Sequence, residues 1–147
     1  MKNDKELKSE IVCYGELVVD CFGSISDGFV PKFGGAPGNT AVGISKLGHH
    51  NTTFIGKVGA DFFGDFMDNT LQRYGVDTRY LFRDKDHKTT LAFVSLSAHG
   101  QRDFSFYPGA HEYVSLKDVK KVKLTDARIF KFGSLTQSND ICREATD

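Results

Sequence analysis

Tryptophan is absent from this 147-residue sequence, and proline and cysteine each occur only three times. Cys13, Cys21 and Cys142 are odd in number and lack CxxC spacing. That usage speaks against a disulfide framework and fits reduced thiols in a cytosolic protein. The three read as small core hydrophobes. An excess of charge is missing too: 19 Lys and Arg balance 19 Asp and Glu. This argues against nucleic-acid binding by counterion release, which wants a basic surplus, and against a polybasic membrane anchor. No segment approaches the roughly 18 apolar residues of a membrane span. The opening ten residues are charged through Glu10 and hold no apolar stretch of signal-peptide length. The expectation is a cytoplasmic protein with no nucleic-acid or membrane partner.

What is present is a normal globular balance, 39% hydrophobic and 26% charged. The length suits one domain able to close a core unaided, and Phe supplies 13 of the aromatics. Residues 1–10 read as a flexible, solvated tail. Ile11 to Val19 reads as a buried strand broken near Gly15, and 22–33 as a polar and aromatic excursion. A helix is expected from Asn39 to Leu47 and a strand from Thr52 to Ile55. A second helix should run from an Asp61 N-cap to Tyr74, stopped by Gly75. Residues 89–97 and Arg102–Tyr107 flank a Gly-containing turn at 98–101 and predict a β-hairpin. Ser115–Val122 reads as a helix, Ala127–Phe132 as a strand, and Ser138 onward as helical. Alternating strands and helices predict an α/β architecture with a parallel sheet covered by helices. The excursion and the hairpin are left to form a small β layer beside it.

The sharpest local feature is Gly34-Gly35-Ala36-Pro37-Gly38-Asn39. Paired glycines let backbone approach a ligand closely, a helix start offers unpaired N–H groups, and Asn39 both donates and accepts. That set suits a polyhydroxyl ligand, and it equally describes an ordinary strand-to-helix turn with Asn39 near the cap. Asp20 ends the first strand, where open parallel sheets gather ligands. Its carboxylate is able to accept from two hydroxyls or to stabilise a turn. The familiar nucleotide signatures are missing: neither GxxxxGK[ST] nor GxGxxG occurs. Asp84-Lys85-Asp86 lacks the rest of an EF-hand loop, adjacent His49 and His50 do not share a helical face, and no metal site is expected. Gly-x-Ser-x-Gly is absent as well.

A resemblance joins these pieces. Tyr14-Gly15-Glu16-Leu17-Val18-Val19-Asp20, the Gly34–Gly43 segment, Leu47-Gly48 and Ile55-Gly56-Lys57-Val58-Gly59-Ala60-Asp61-Phe62-Phe63-Gly64 follow one another. Tyr74-Gly75-Val76, Thr90–Val94, Asp103–Tyr107 and Phe132-Gly133-Ser134 come after them. In that order and register, from about Ile11 to Leu135, the chain resembles the N-terminal part of ribokinase-like carbohydrate kinases of the pfkB type, fructokinases in particular.

The resemblance implies an α/β/α sandwich over 11–147 with a small β lid from about 22–33 and 89–107. It implies ATP-dependent phosphoryl transfer to a sugar hydroxyl with Mg²⁺. It places Asp20, Gly34, Gly35 and Asn39 on sugar-binding positions and Phe106 on a lid position lining the sugar. It also implies a homodimer formed through the lid. Two departures stand out. The family's Gly-Ala-Gly-Asp motif, with its general base and anion hole, does not follow Ser134. The expectation is therefore a truncated chain that carries neither catalytic residues nor the ATP site. In addition, Tyr107 runs directly into Pro108-Gly109-Ala110-His111, where related fructokinases tend to carry an Arg-Asn pair before Pro-Gly-Ala and often Asp at the position of His111. A non-catalytic sugar-binding or subunit-pairing module is the alternative, and another sugar or a nucleoside the alternative substrate.

Overall fold

The computed structural model describes residues 9–48, 51–96, 102–123 and 127–147. Most of the expected N-terminal tail, the Gly turn at 98–101 and His49 and His50 lie outside the described residues. Ser9 is buried, its hydroxyl donating to the Ile11 and Asn51 carbonyls, so the packed chain already includes it.

Two four-stranded sheets organise the molecule. The first takes the order β5-β4-β1-β8, from β1 (Ile11–Tyr14), β4 (Thr52–Gly59), β5 (Asp77–Asp84) and β8 (Ile129–Phe132). All of its pairings are parallel. Helices α1 (Ala36–Lys46) and α2 (Phe62–Arg73) cover one face. Cys13, Phe54, Ala41, Val42, Met67 and Leu71 meet there in one core. The short helices α3 (Leu116–Val119) and α4 (Asp140–Thr146) lie on the other face, where Val12, Tyr14, Ile55, Val114 and Cys142 form a second core. Alternate residues of β1 serve the two cores, as the period-2 pleat requires. The mixed α/β architecture is the one the sequence predicts.

The second sheet takes the order β3-β2-β6-β7. It comprises β2 (Val18–Ser24), β3 (Gly28–Gly34), β6 (Leu91–Leu96) and β7 (Arg102–Tyr107). Two antiparallel hairpins, β2–β3 and β6–β7, are joined by a parallel β2–β6 pairing. Val19, Cys21, Phe33, Leu91 and Phe93 pack its inner face on the first core.

Asp61 shows how local chemistry ties the layers. It N-caps α2 by accepting from the Gly64 N–H at 2.8 Å. It also accepts from the backbone and hydroxyl of Thr89, at 2.9 and 2.7 Å, at the entrance to β6. Burial would raise its carboxyl, but these hydrogen bonds hold it below the usual carboxylate range.

Three elements differ from the sequence reading. Strand β5 is not anticipated there, because Asp77, Arg79, Arg83 and Asp84 interrupt its apolar pattern. The expected strand from Ile11 to Val19 divides into β1 and β2 in different sheets, which puts Asp20 inside β2 rather than at the end of the first strand, while 22–33 joins the small β layer as the sequence predicts. Helix α1 begins at Ala36, with Gly35 as N-cap and Pro37 in the first turn. Asn39 is therefore already helical, its N–H bonded to the Gly35 carbonyl at 2.9 Å. Pro explains the earlier start, since its missing N–H costs nothing in a first turn. Among the described residues, no helix is long and apolar enough to cross a membrane.

Candidate functional site at the join of the two sheets

The topology picks out one end of the first sheet. From β1 the chain builds β4 and β5 to one side with α1 and α2 on one face. It later places β8 on the other side of β1 with α3 and α4 on the opposite face. The strand order thus reverses between β1 and β8, and open α/β sheets hold ligands in the crevice beyond the carboxyl ends at such a switch point. Gly15, Glu16 and Leu17 leave β1 there, and Gly133 leaves β8, its N–H donating to the Tyr14 carbonyl at 2.9 Å.

Asp20 reaches this region from β2. In register across the second sheet stand Lys32, Asp20, Ala92 and Phe106. Directly paired residues share a face, so Asp20 and Phe106 flank the small Ala92 on one surface, about 10 Å apart at two strand spacings. The Asp20 carboxyl is half-buried and accepts no hydrogen bond among the described residues, and burial raises its pKa. Phe106 is 37% exposed and meets the His111 ring edge-on at 6.0 Å.

Gly34 and Gly35 fit this arrangement sterically. A Cβ on Gly34 would stand 2.1 Å from Asp20 Oδ2, so a side chain there would displace the carboxyl. Gly35 has φ +95°, and a Cβ on it would meet the Glu16 carbonyl oxygen at 2.6 Å. Both requirements make glycine necessary at this turn. Asn39 is exposed on the first turn of α1. Asp20, Gly34 and Phe106 thus share the outer face of the second sheet, with Gly35 and Asn39 at the turn where β3 enters α1.

Two residues have buried contacts that sequence reasoning does not place: Glu16, which stands inside the Tyr14–Asp20 motif, and His111, which departs from the family pattern. Glu16 is only 4% exposed, and its Oε2 lacks a hydrogen-bond partner among the described residues. Burial raises its pKa, and a Cβ on Gly133 would stand 2.0 Å from that oxygen. A carboxylate between the apolar runs 11–14 and 17–19 was the available signal. Gly133→Ala is expected to destabilise the protein by about 1–3 kcal/mol through overpacking. In a Glu16→Ala background it should cost almost nothing, because the three atoms nearest that Cβ all belong to Glu16. Denaturant melts of the four variants in this cycle measure the coupling, and additive losses would contradict the contact. The second residue is His111, buried and hydrogen-bonded through Nδ1 to the Thr90 hydroxyl at 2.5 Å. It stands where β7 returns to the body, and its isolated position in the sequence gave no sign of that.

The arrangement offers an acceptor with free lone pairs, an aromatic face, and a backbone turn without side chains. Such a surface is suited to a small ligand rich in hydroxyls. Among the described residues, no group of three His, Cys, Asp or Glu side chains is placed to hold a metal ion.

Comparison with known proteins identifies the family of the chain. Residues 8–146 match the model of the pfkB family carbohydrate kinases. The chain is 36% identical to a probable fructokinase-7 of Arabidopsis thaliana, over 95% of this chain and 43% of that protein. It superposes on the fructokinase from Xylella fastidiosa with bound ATP with a TM-score of 0.85 and 35% identity, over 92% of this chain and 42% of that one. The fructokinase of Vibrio cholerae bound to fructose, ADP and calcium gives a TM-score of 0.79 and 32% identity, over 96% and 46%. The chain therefore spans less than half the length of these relatives.

Proposed function

The chain belongs to the pfkB family of carbohydrate kinases, and from that premise we propose that it is the sugar-binding portion of a fructokinase-like enzyme that moves the γ-phosphoryl of ATP to a sugar hydroxyl. The observation that carries this reading is the row Asp20–Ala92–Phe106 beside the Gly34–Gly35 turn. Asp20 accepts hydrogen bonds from two sugar hydroxyls. Asn39 adds a donor and an acceptor at the start of α1, and Phe106 closes over the apolar face of the ring. The second sheet acts as a lid, with Thr89–Thr90 and Gly109–His111 at its base. Ala110 N–H donates to the Lys88 carbonyl there at 2.7 Å. Mg²⁺ with ATP supplies the phosphoryl group and neutralises its charge; the residues named here bind and orient the acceptor.

The lid also supports pairing of two copies. Val30, Phe22 and Phe104 lie in the next cross-strand row, on the same face as Asp20, and are 55%, 46% and 61% exposed. A run of exposed aromatic and β-branched side chains on a sheet face suits an isologous contact.

Thermal melts with fructose, ribose and adenosine test the reading. A ligand at ten times its Kd stabilises by about 1.4 kcal/mol. Fructose is expected to raise the Tm of the chain and to leave Asp20→Asn unmoved. An equal rise in both places the sugar elsewhere, and a rise with adenosine alone makes the substrate a nucleoside.

A further inference from the structure

Asp20 has a natural partner that it does not take. In the β2–β3 hairpin its direct cross-strand neighbour is Lys32. Side chains paired in this way stand on one face with Cβ atoms about 5 Å apart, and opposite charges there ordinarily attract. Among the described residues, however, Lys32 makes no ion pair or hydrogen bond, and the Asp20 carboxyl accepts none. Gly34 accounts for this. It lies one row nearer the β3–α1 turn, on the same face. The Asp20 carboxyl leans into the space that a side chain at Gly34 would fill, since a Cβ there would meet Oδ2 at 2.1 Å and Cγ at 2.7 Å. The carboxyl is thereby aimed at the turn and away from Lys32.

Lys32 itself is exposed, on a strand at the edge of the second sheet. Edge strands carry lysine to deter further strand pairing. Pro31 beside it already interrupts this edge, and a lysine with that task alone needs no carboxylate opposite. In the row of Asp20 and in the next row, Val30–Phe22–Val94–Phe104, Lys32 is the single cationic residue. From Lys32 to Phe106 the row thus presents a cation, a carboxylate, a small residue and an aromatic ring.

The two charged groups are complementary in what they offer. A lysine ammonium only donates and a carboxylate only accepts, whereas a hydroxyl does both. A hydroxyl seated between them donates its proton to Asp20 and accepts from Lys32 Nζ through its oxygen. Because the two groups stand apart in the free chain, no ion pair has to break when a ligand arrives. We propose that Lys32 is a specificity-determining residue of the sugar site: with Asp20 it grips one hydroxyl of the acceptor sugar in both its donor and its acceptor role, and so selects sugars that carry a hydroxyl at that position. The inference rests on the sugar-binding reading of Asp20 and adds to it a residue outside the motifs that carry the family resemblance.

Calorimetric binding of fructose to the 147-residue chain tests it, with fructose analogues that each lack one hydroxyl as further probes. Lys32→Met is expected to weaken fructose binding about tenfold, as fits one hydrogen bond to a charged group, and Lys32→Arg to recover most of the loss. Without sugar, Lys32→Met should melt with the wild type, because Lys32 holds nothing in the free chain. The analogue that lacks the gripped hydroxyl is expected to bind the wild type and Lys32→Met equally. The Lys32 ¹³Cε resonance of the wild type is a reading that needs no variant, and it should shift as fructose saturates. A fructose Kd unchanged by Lys32→Met, while Asp20→Asn abolishes binding, would overturn the inference and leave the sugar site standing. So would a loss of equal size for every analogue, which would place Lys32 outside the hydroxyl contact. A wild-type chain that binds no fructose would remove the sugar site and this inference together.

Discussion

Asp118→Ala is expected to lower the unfolding free energy by about 3–5 kcal/mol, the usual cost of leaving a buried charge unpaired. Asp118 sits in α3, and Lys57 reaches it from β4 at 2.6 Å, with both side chains nearly buried. Lys57 also donates to the Tyr113 carbonyl at 2.6 Å. Ser115 donates to Asp118 through its N–H and its hydroxyl. Burial alone would raise the Asp118 carboxyl; Lys57 and Ser115 overcome that and hold it low. Removing the carboxylate strands the Lys57 ammonium between strand and helix. A Lys57→Met, Asp118→Leu double variant should recover most of the loss, because an apolar pair of similar volume replaces both charges. Urea unfolding of the three proteins measures it. A loss under about 1 kcal/mol for Asp118→Ala would mean that the pair behaves like an exposed one.

The second large effect is a dependence of stability on pH through His111. Burial lowers its pKa from 6.5 to about 4. Between those values the unfolded chain binds a proton at His111 that the folded chain refuses. Stability is therefore complete above about pH 6.5 and falls as the pH drops towards 4. The contribution lost reaches ~3 kcal/mol, at 1.36 kcal/mol per unit. Glu16 and Asp20, whose carboxyls burial raises, oppose this trend as they take up protons. The clean readout is the difference between the wild type and His111→Asn across pH 4–7. A wild-type curve parallel to that of His111→Asn would contradict a neutral, buried His111. Because His111 bonds Thr90 and meets Phe106, acid should loosen the second sheet at its base first.

What the sequence disclosed follows from how local each signal is. Helix α2 was legible because its cap and its stop are both chemical: Asp61 accepts from Gly64, and Gly75 takes φ +76° just beyond Tyr74. The Gly34–Gly35 turn was legible because only glycine tolerates its contacts. Strand β5 was hidden, since an edge strand protects itself with the same charges that mark a loop. The start of α1 was misplaced because Asn39 looked like a cap while Pro37 had already fixed the first turn. The row from Asp20 to Phe106 depends on register between strands far apart in the chain, which local periodicity does not encode. The family resemblance supplied those residues singly; the register supplies their common face. The buried contacts of Glu16 with Gly133 and of His111 with Thr90 are tertiary in the same sense.

The central claim is that a sugar is held by the Asp20 carboxylate, and the carboxyl ¹³C resonance of Asp20 reads this directly. Its pH titration is followed with and without fructose. Without sugar, burial keeps the pKa above the ordinary value. Hydroxyl donors favour the charged form, so saturating fructose is predicted to shift the resonance and to bring the pKa down, while Asp20→Asn abolishes fructose binding. An Asp20 resonance and pKa indifferent to fructose, while signals elsewhere respond to it, would contradict the account.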